Sequence, residues 1–519
     1  MITWSSKSRG PASRIGNFPP NAPQHRSATD SERPCELAGF PCPSQPKPHR
    51  LQTLCLGRTV ARVVASGLRL KAFEGLHCPE SFETPGSPSL LVGKRGFGRA
   101  VVKRISLIEC SPELATINTP RIAKYAILSH IIRMWIARDI EPRLQRSART
   151  RPVVVLTGAR QTGKTSTFLR LFPNHGFVSL DLPTEAEQAE KEPHDFLRRH
   201  PPPMIVDEVQ YAPRLFRHLK ATVDASRARN GQFLLTGSQK FTLMKSVSES
   251  LAGRADIAEL ETLSWPEILA ALPQTALEMA IVRGGFPELH ANPDIDHVAF
   301  YNSYLATYLE RDVRSLANVG NLRDFERFLR ACGLRSANLL NKADLARDVG
   351  IAPSTANHWL STLEASGQVV LLEPWFSNRT KSIVKSPKLY MADTGLLCTL
   401  LNVRSEDALR RSPAAGAIWE TFVFAQLRGR ERRAGRAGSL FFWRDRTREV
   451  DFVIDLGGRL ELFEAKWTEL PTDGDAVNLD FVRKVVGKSR VASGTVVCRT
   501  PNSFPLVNGF RALPVSQLG

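Results

Sequence analysis

The stretch Val153-Val-Val-Leu-Thr-Gly-Ala-Arg-Gln-Thr-Gly-Lys-Thr-Ser166 limits what this chain can fold into more than any other. A β-branched run stops at Gly158, and Gly158, Ala159, Arg160, Gln161, Thr162, Gly163, Lys164 and Thr165 fit the pattern Gly-x-x-x-x-Gly-Lys-Thr. Thr167 to Phe172 then carry apolar positions at helical spacing. A strand, a glycine loop and a helix form the context in which this pattern holds phosphate. The glycines let successive N–H groups turn inward as an anion nest, and the helix N-terminus adds partial positive charge. Lys164 would reach the β- and γ-phosphates of a nucleotide, and Thr165 would set its hydroxyl on Mg²⁺. We take Gly158 to Ser166 as the phosphate-binding set. The competing reading is a plain glycine turn at a helix start.

The downstream chain repeats strand and helix. Phe177 to Asp181 reads as a second strand, and Ala186 to Arg199 as a helix kinked at Pro193. Met204-Ile-Val-Asp207-Glu208 is an apolar strand ending in two acids. After a phosphate loop, an aspartate at this place holds Mg²⁺ and an adjacent glutamate activates the attacking water. Asp207 and Glu208 are the candidates; alone, such a pair reads equally as a solvated strand end. Leu215 to Ala228 is helical, and Gly231 to Gln239 gives another buried strand whose polar end, Ser238 or Gln239, would sense a γ-phosphate. Arg254 is placed to bridge a phosphate in cis or from a neighbouring subunit, or to make a surface salt bridge. Upstream, apolar periodicity from Arg121 through Trp135 to Leu144 predicts an amphipathic helix. Repeated strand–helix units imply a parallel sheet with its ligand at the strand C-termini.

At 519 residues several domains are expected. Residues 1–120 are rich in Pro, Ser, Arg and Gly and read as a disordered segment, as extra sequence from an upstream start codon, or as a basic arm. Much of the formal charge of +19 lies there, so charge fixes no partner. No apolar run is long enough for a membrane span. The eight cysteines form no Cys-x-x-Cys pair, which suits a reducing cytoplasm and argues against a zinc site.

Leu263 to Ala337 is mainly helical, with Arg311 and Arg314 read as surface pairs or as nucleotide contacts. Asn341 to Leu372 resembles a helix-turn-helix followed by a strand, a small winged-helix unit. Its second helix offers Ser354, Thr355, Asn357, His358 and Ser361, and no Lys or Arg occurs between Val349 and Asn378. Phosphate neutralisation dominates DNA affinity, so a protein-packing role stands beside DNA contact. Arg379, Lys381, Lys385 and Lys388 on the wing partly answer the missing charge.

Glu449 to Leu456 and Arg459 to Lys466 read as two strands joined by Gly457-Gly458. Counting out from the turn sets Asp451 directly opposite Glu464, with Lys466 on the same face. Opposed carboxylates repel and need a metal, a proton or a cation. Two acids and a lysine in this arrangement match a PD-(D/E)xK nuclease core, where the acids hold Mg²⁺. Glu420, on a helix from Ala417 to Leu427, would add a further acid. The fold persists either as an active nuclease or as a binding scaffold.

With these motifs in view, the chain resembles a prokaryotic group of AAA-type ATP-binding proteins that pair an ATPase module with a C-terminal domain of unknown function, 4143. The carrying residues are 158–165, Ile205 to Glu208, Leu235 to Ser238, Leu251 to Arg254, Gly284 to Pro287, Tyr390 to Leu396, Trp419-Glu420, Glu449 to Asp451 and Glu464 to Lys466. The resemblance covers the chain from about residue 121 and implies ATP and Mg²⁺ binding with a nuclease-like C-terminal fold. The expected class is α/β: an AAA-type P-loop domain over 121–270, a helical lid over 271–337, a winged helix over 338–395 and a PD-(D/E)xK-like α/β domain over 396–519. ATP hydrolysis leads the functional expectation, ahead of an ATP-dependent nuclease and of a nucleotide-dependent protein-binding switch. Expected partners are ATP and either DNA or a protein, with homo-oligomerisation open.

Overall fold

Five short apolar segments build the sheet that carries the glycine loop: β1 (Val153–Thr157), β2 (Gly176–Ser179), β3 (Met204–Asp207), β4 (Phe233–Gly237) and β5 (Ala255–Glu259). All are parallel, in the order β2-β3-β4-β1-β5. The computed structural model describes residues 54–56, 59–61, 135–238, 240–308, 322–376 and 386–518. Residues 1–102 and 103–519 form separate units. In the first, Leu54–Leu56 and Thr59–Ala61 pair antiparallel. The expectations placed on Gln239, Arg311, Arg314, Arg379, Lys381 and Lys385 lie outside the described residues.

Strand β1 is buried along its whole length because helices cover both faces of the sheet. Its two-residue period sends Val153 and Val155 into one core with Val206, Phe216 and Leu235. Val154 and Leu156 enter the other, with Leu144, Phe168, Ile205 and Leu234. Each such side chain contributes about 1.5–3 kcal/mol through removal from water. The helix before β1 is shorter than its periodicity predicts. It spans Glu141–Thr150 and starts beside Pro142; residues 135–138 are not helical, and the predicted stretch over 121–134 lies outside the described residues. Proline favours a first helical turn, and that local preference overrides the apolar spacing of Trp135 and Ile136. The kinked helix at Pro193 is two helices, Pro183–Lys191 and Pro193–Arg199.

Helices Trp265–Ala271, Leu277–Arg283, Pro287–Ala291 and His297–Tyr308 follow β5, and Leu322–Gly333 comes after them. Then β6 (Asn338–Leu339), β7 (Val369–Leu372) and β8 (Lys388–Met391) form an antiparallel sheet with β8 in the centre. Lys342–Val349 and Pro353–Ala365 are its helices. Asn341 caps the first by accepting from the N–H groups of Ala343 and Asp344, and Gly350 ends it in a left-handed turn.

The C-terminal sheet holds β9 (Leu440–Arg444), β10 (Glu449–Asp455), β11 (Leu460–Ala465), β12 (Val491–Cys498), β13 (Phe504–Pro505) and β14 (Arg511–Pro514). Its order is β9-β10-β11-β12-β14-β13, with β11, β12 and β14 mutually parallel. The long helix Ala415–Arg433 lies against this sheet, and a single apolar core runs from Leu263 to Leu518. The helices between β5 and β6, the three-stranded unit and the C-terminal sheet therefore share one interior.

One knot in that interior explains the Gly284-Gly-Phe-Pro and Tyr390-Met-Ala-Asp-Thr-Gly motifs. Buried Asp393 accepts from Tyr301 Oη at 2.7 Å, Leu396 N at 3.0 Å and Gly285 N at 2.8 Å. A Cβ on Gly284 would meet Tyr301 Oη at 2.1 Å, so only glycine admits this approach. Asp393→Ala strands buried donors and should cost on the order of 3 kcal/mol. A lowered thermal midpoint is the expected result, and an unchanged one would show that the knot contributes no stability.

Candidate functional site

The loop between β1 and the helix Lys164–Leu171 sits at the C-terminal end of the parallel sheet, where strand order reverses around β1. Gly158 takes φ 149°, and a Cβ there would lie 2.3 Å from the Leu260 carbonyl oxygen just beyond β5. Gly163 takes φ 90° as it turns into the helix. Lys164 is buried and folds back over the loop, donating to the carbonyls of Gly158 at 3.1 Å and Ala159 at 2.8 Å. Those contacts hold the ammonium above the nest that a phosphate would enter.

The two acids after β3 lie where the spacing puts them. Asp207 accepts from Thr165 Oγ1 at 2.5 Å and Ser179 Oγ at 3.1 Å, and Thr236 Oγ1 also donates to it. Burial pushes its carboxyl above the usual range, while the hydroxyls pull the other way. Glu208 sits in the left-handed region at φ 54°, a conformation costing roughly 1–3 kcal/mol for a residue with a Cβ. Its carboxylate turns toward the end of β4, accepting from Ser238 Oγ at 3.0 Å and Ser238 N at 3.3 Å, with Gln210 Nε2 as a third donor. Thr165, in the first turn of the helix Lys164–Leu171, thus converges with Asp207, Glu208 and Ser238 at the ends of β3 and β4.

Arg254 does not join them. It lies beside the start of β1, where its carbonyl accepts from Val153 N, and it grips Asp224 through two bonds of 2.7 and 2.8 Å. The strands are parallel, so the start of β5 is the opposite end of the sheet from the glycine loop. Of its two readings the salt bridge is the one formed within this chain.

Arg138 was not legible as a site residue. Its buried guanidinium donates to the Thr162 carbonyl at 2.9 Å, the Glu261 carbonyl at 2.7 Å and Glu267 Oε1 at 3.1 Å. Glu267 is the far end of a capping box opened by Ser264, a pattern visible as Ser264-Trp-Pro-Glu267. A cleft of about 780 Å³ runs from residues 160–167 to Trp135, Ile136, Pro287, Asn292, Ile295 and Tyr304. Its polar end is the glycine loop and its far wall is apolar, the layout of a nucleotide site. Mg²⁺ binds through one or two protein oxygens plus substrate phosphates, and the Thr165 hydroxyl beside the Asp207 carboxylate fits that demand.

The second acidic cluster also forms. Leu456 N bonds to Arg459 O at 2.8 Å across the Gly457-Gly458 turn, and Phe452 faces Phe463. The next positions outward are Asp451 and Glu464, in the register counted from sequence. Lys466 Nζ lies 2.9 Å from Glu464 Oε1. Glu420 reaches the cluster from the helix Ala415–Arg433.

The cation between the acids is one the sequence reading placed elsewhere. Lys388 is not an exposed wing residue: it is 1% exposed, with Nζ 2.8 Å from Glu420 Oε1, 3.5 Å from Asp451 Oδ1 and in contact with Glu449 Oε1. Burial opposes its charge, yet the carboxylates, Glu420 foremost, hold its ammonium above the ordinary lysine value. Glu449 and Tyr390, whose hydroxyl donates to Glu420 at 2.6 Å, complete the set. The one local signal was a lysine opening the otherwise apolar strand Lys388-Leu-Tyr-Met391.

Burial, and then Asp451, push the Glu464 carboxyl up to about 8 from 4.5. The folded chain keeps a proton that the unfolded chain gives up above its ordinary value. The stabilisation is full below about 4.5 and is lost as pH rises through about 8. Glu464→Gln fixes the neutral form and should flatten the fall in thermal midpoint across that window. A variant midpoint as pH-dependent as the wild type would remove Glu464 as the source.

Three family models match the chain: an AAA domain over residues 150–269, a domain of unknown function (DUF8612) over 274–407 and a domain of unknown function (DUF4143) over 415–518. Uncharacterized proteins of Mycobacterium tuberculosis (Rv2008c) and Mycobacterium bovis (Mb2031c) are each 33% identical over 392 residues, 73% of this chain and 84% of theirs. Among solved structures, a Walker-type ATPase of Pyrococcus abyssi is similar over 51% of this chain and 95% of its own, at 16% identity and a TM-score of 0.36. Among the described residues no helix is long and apolar enough to cross a membrane. The chain belongs to the family of AAA-type ATP-binding proteins in which an AAA domain precedes the domain of unknown function 4143.

Proposed function

We propose that this protein binds ATP with Mg²⁺ in the cleft at the end of β1 and hydrolyses it. The convergence of Thr165, Asp207, Glu208 and Ser238 at the strand ends carries the reading. Lys164 and the N–H groups of 158–166 hold the phosphates, and Thr165 and Asp207 hold the metal. Mg²⁺ supplies charge neutralisation on the phosphate oxygens when bound. Glu208 positions a water and accepts its proton, while Ser238 keeps that carboxylate turned toward the end of β4 until a γ-phosphate competes for the hydroxyl. The apolar wall at Trp135, Ile136 and Ile295 takes the base.

The C-terminal unit is read here as a nuclease-like fold used as a scaffold. The helix Pro353–Ala365 turns Ser354, Asn357, His358 and Ser361 outward and carries no Lys or Arg, which favours a protein partner over the DNA backbone. Steady-state ATPase measurement with and without DNA tests the choice: turnover that DNA leaves unchanged supports the protein-facing reading, and strong stimulation would replace it with a DNA-processing role.

Two substitutions test the nucleotide chemistry. Lys164→Ala removes the phosphate-facing cation and should abolish ATP binding in a direct titration; unchanged affinity would sink the site assignment. Glu208→Gln should still bind ATP but turn over about 10²–10⁴-fold more slowly, the usual contribution of a positioned base. Wild-type turnover in that variant would take the base role away from Glu208.

A further inference from the structure

We propose that the Lys388 ammonium is a built-in cation standing where a divalent ion would sit among the C-terminal carboxylates, so that this acidic site takes no metal while β8 is seated. The inference is independent of the nucleotide reading. Four acids meet at one end of two neighbouring strands: Glu420 from the long helix, Glu449 and Asp451 from the start of β10, and Glu464 from the end of β11. A divalent ion there would approach their oxygens to about 2.0–2.6 Å and would fill the space among them.

Those oxygens are already engaged. Lys388 Nζ takes one oxygen each of Glu420, Glu449 and Asp451, which matches the three N–H donors of an ammonium. Tyr390 Oη donates to the same Glu420 oxygen at 2.6 Å. The other Asp451 oxygen accepts from Ala465 N at 2.9 Å, and Glu464 Oε1 is held by Lys466. Glu464 Oε2 is buried without a hydrogen-bond partner, and what bars an ion from it and its neighbours is the ammonium filling the space among the acids. Among the described residues no group of three or more His, Cys, Asp or Glu side chains is arranged to hold a metal.

The face of the Phe442 ring lies 5.7 Å from Nζ and closes the remaining side. An ammonium and a divalent ion cannot share that volume. Lysine supplies one positive charge where an ion would supply two. The cluster is thereby suited to hold β8 against the long helix, and it offers no Lewis acid to a phosphodiester.

The test is Mn²⁺ binding, followed by the free-ion EPR signal, to the full chain stripped with chelator and kept free of nucleotide. Wild type and D451N should bind equal amounts. K388M should gain about one Mn²⁺ per chain, and K388M/D451N should lose it. Wild type exceeding D451N by about one ion, or a folded K388M with no gain, overturns the proposal. Removing the lysine leaves buried carboxylates uncompensated. K388M/E420Q, which carries one acid fewer, is therefore measured alongside, and the same gain is expected. The comparison of wild type with D451N decides the matter even where neither lysine variant folds.

Discussion

A buried guanidinium fixes the phosphate loop to the rest of the molecule. Arg138 joins the Thr162 carbonyl, the Glu261 carbonyl and the Glu267 carboxylate, so the loop, the segment after β5 and the helix Trp265–Ala271 share one charge. A pair this buried adds little net stability over an apolar substitute, because desolvation offsets its attraction, yet removing one partner costs about 3–5 kcal/mol. Its effect is positional. The loop cannot shift without breaking a bond inside the protein, and that rigidity suits backbone N–H groups that must present themselves to phosphate at fixed angles.

The same junction continues into the C-terminal unit. Arg428 and Arg432 of the long helix pair with Glu261 at 2.7 and 2.8 Å, and both also contact Glu259 at the end of β5. Trp265 N bonds to Gln426 Oε1 at 2.7 Å. The N-terminal half of that helix carries Glu420 into the acidic cluster. Meanwhile Lys388 and Tyr390 reach the cluster from β8, and Asp393, on the same stretch of chain, holds the lid through Gly285 and Tyr301. Two physical routes therefore link the nucleotide cleft to the C-terminal sheet, one through arginine pairs and one through the lid knot.

What could be read from sequence divides along the range of the interactions. The glycine loop, the Asp207-Glu208 strand end and the Asp451–Glu464 register all follow from spacing within a short stretch, where strand period and turn length leave little freedom. Glu208 and Ser238 were separately legible, but their hydrogen bond was not, because it depends on β3 and β4 being neighbours in the sheet. Arg254 stayed open between a phosphate contact and a salt bridge for the same reason: proximity in sequence to a motif says nothing about which end of a parallel strand a side chain occupies. Lys388 misled because a lysine at the start of a short strand is ordinarily solvated, and only the folded chain brings the four acids that make its burial tolerable.

Lys388 also changes how the cluster of acids should be understood. Opposed carboxylates on a sheet can be reconciled by a proton, a metal or a cation, and the choice sets what the site can do. A metal would leave open coordination positions for substrate. An ammonium leaves none, and it ties the cluster to a strand whose continuation anchors the lid. The acids then act as a receptor for β8, and what they transmit is position. No flexible linker separates Asp393 from Lys388: β8 is paired on both edges and its side chains are buried throughout. The Asp393 knot and the acidic cluster are therefore held by one short, buried stretch of chain.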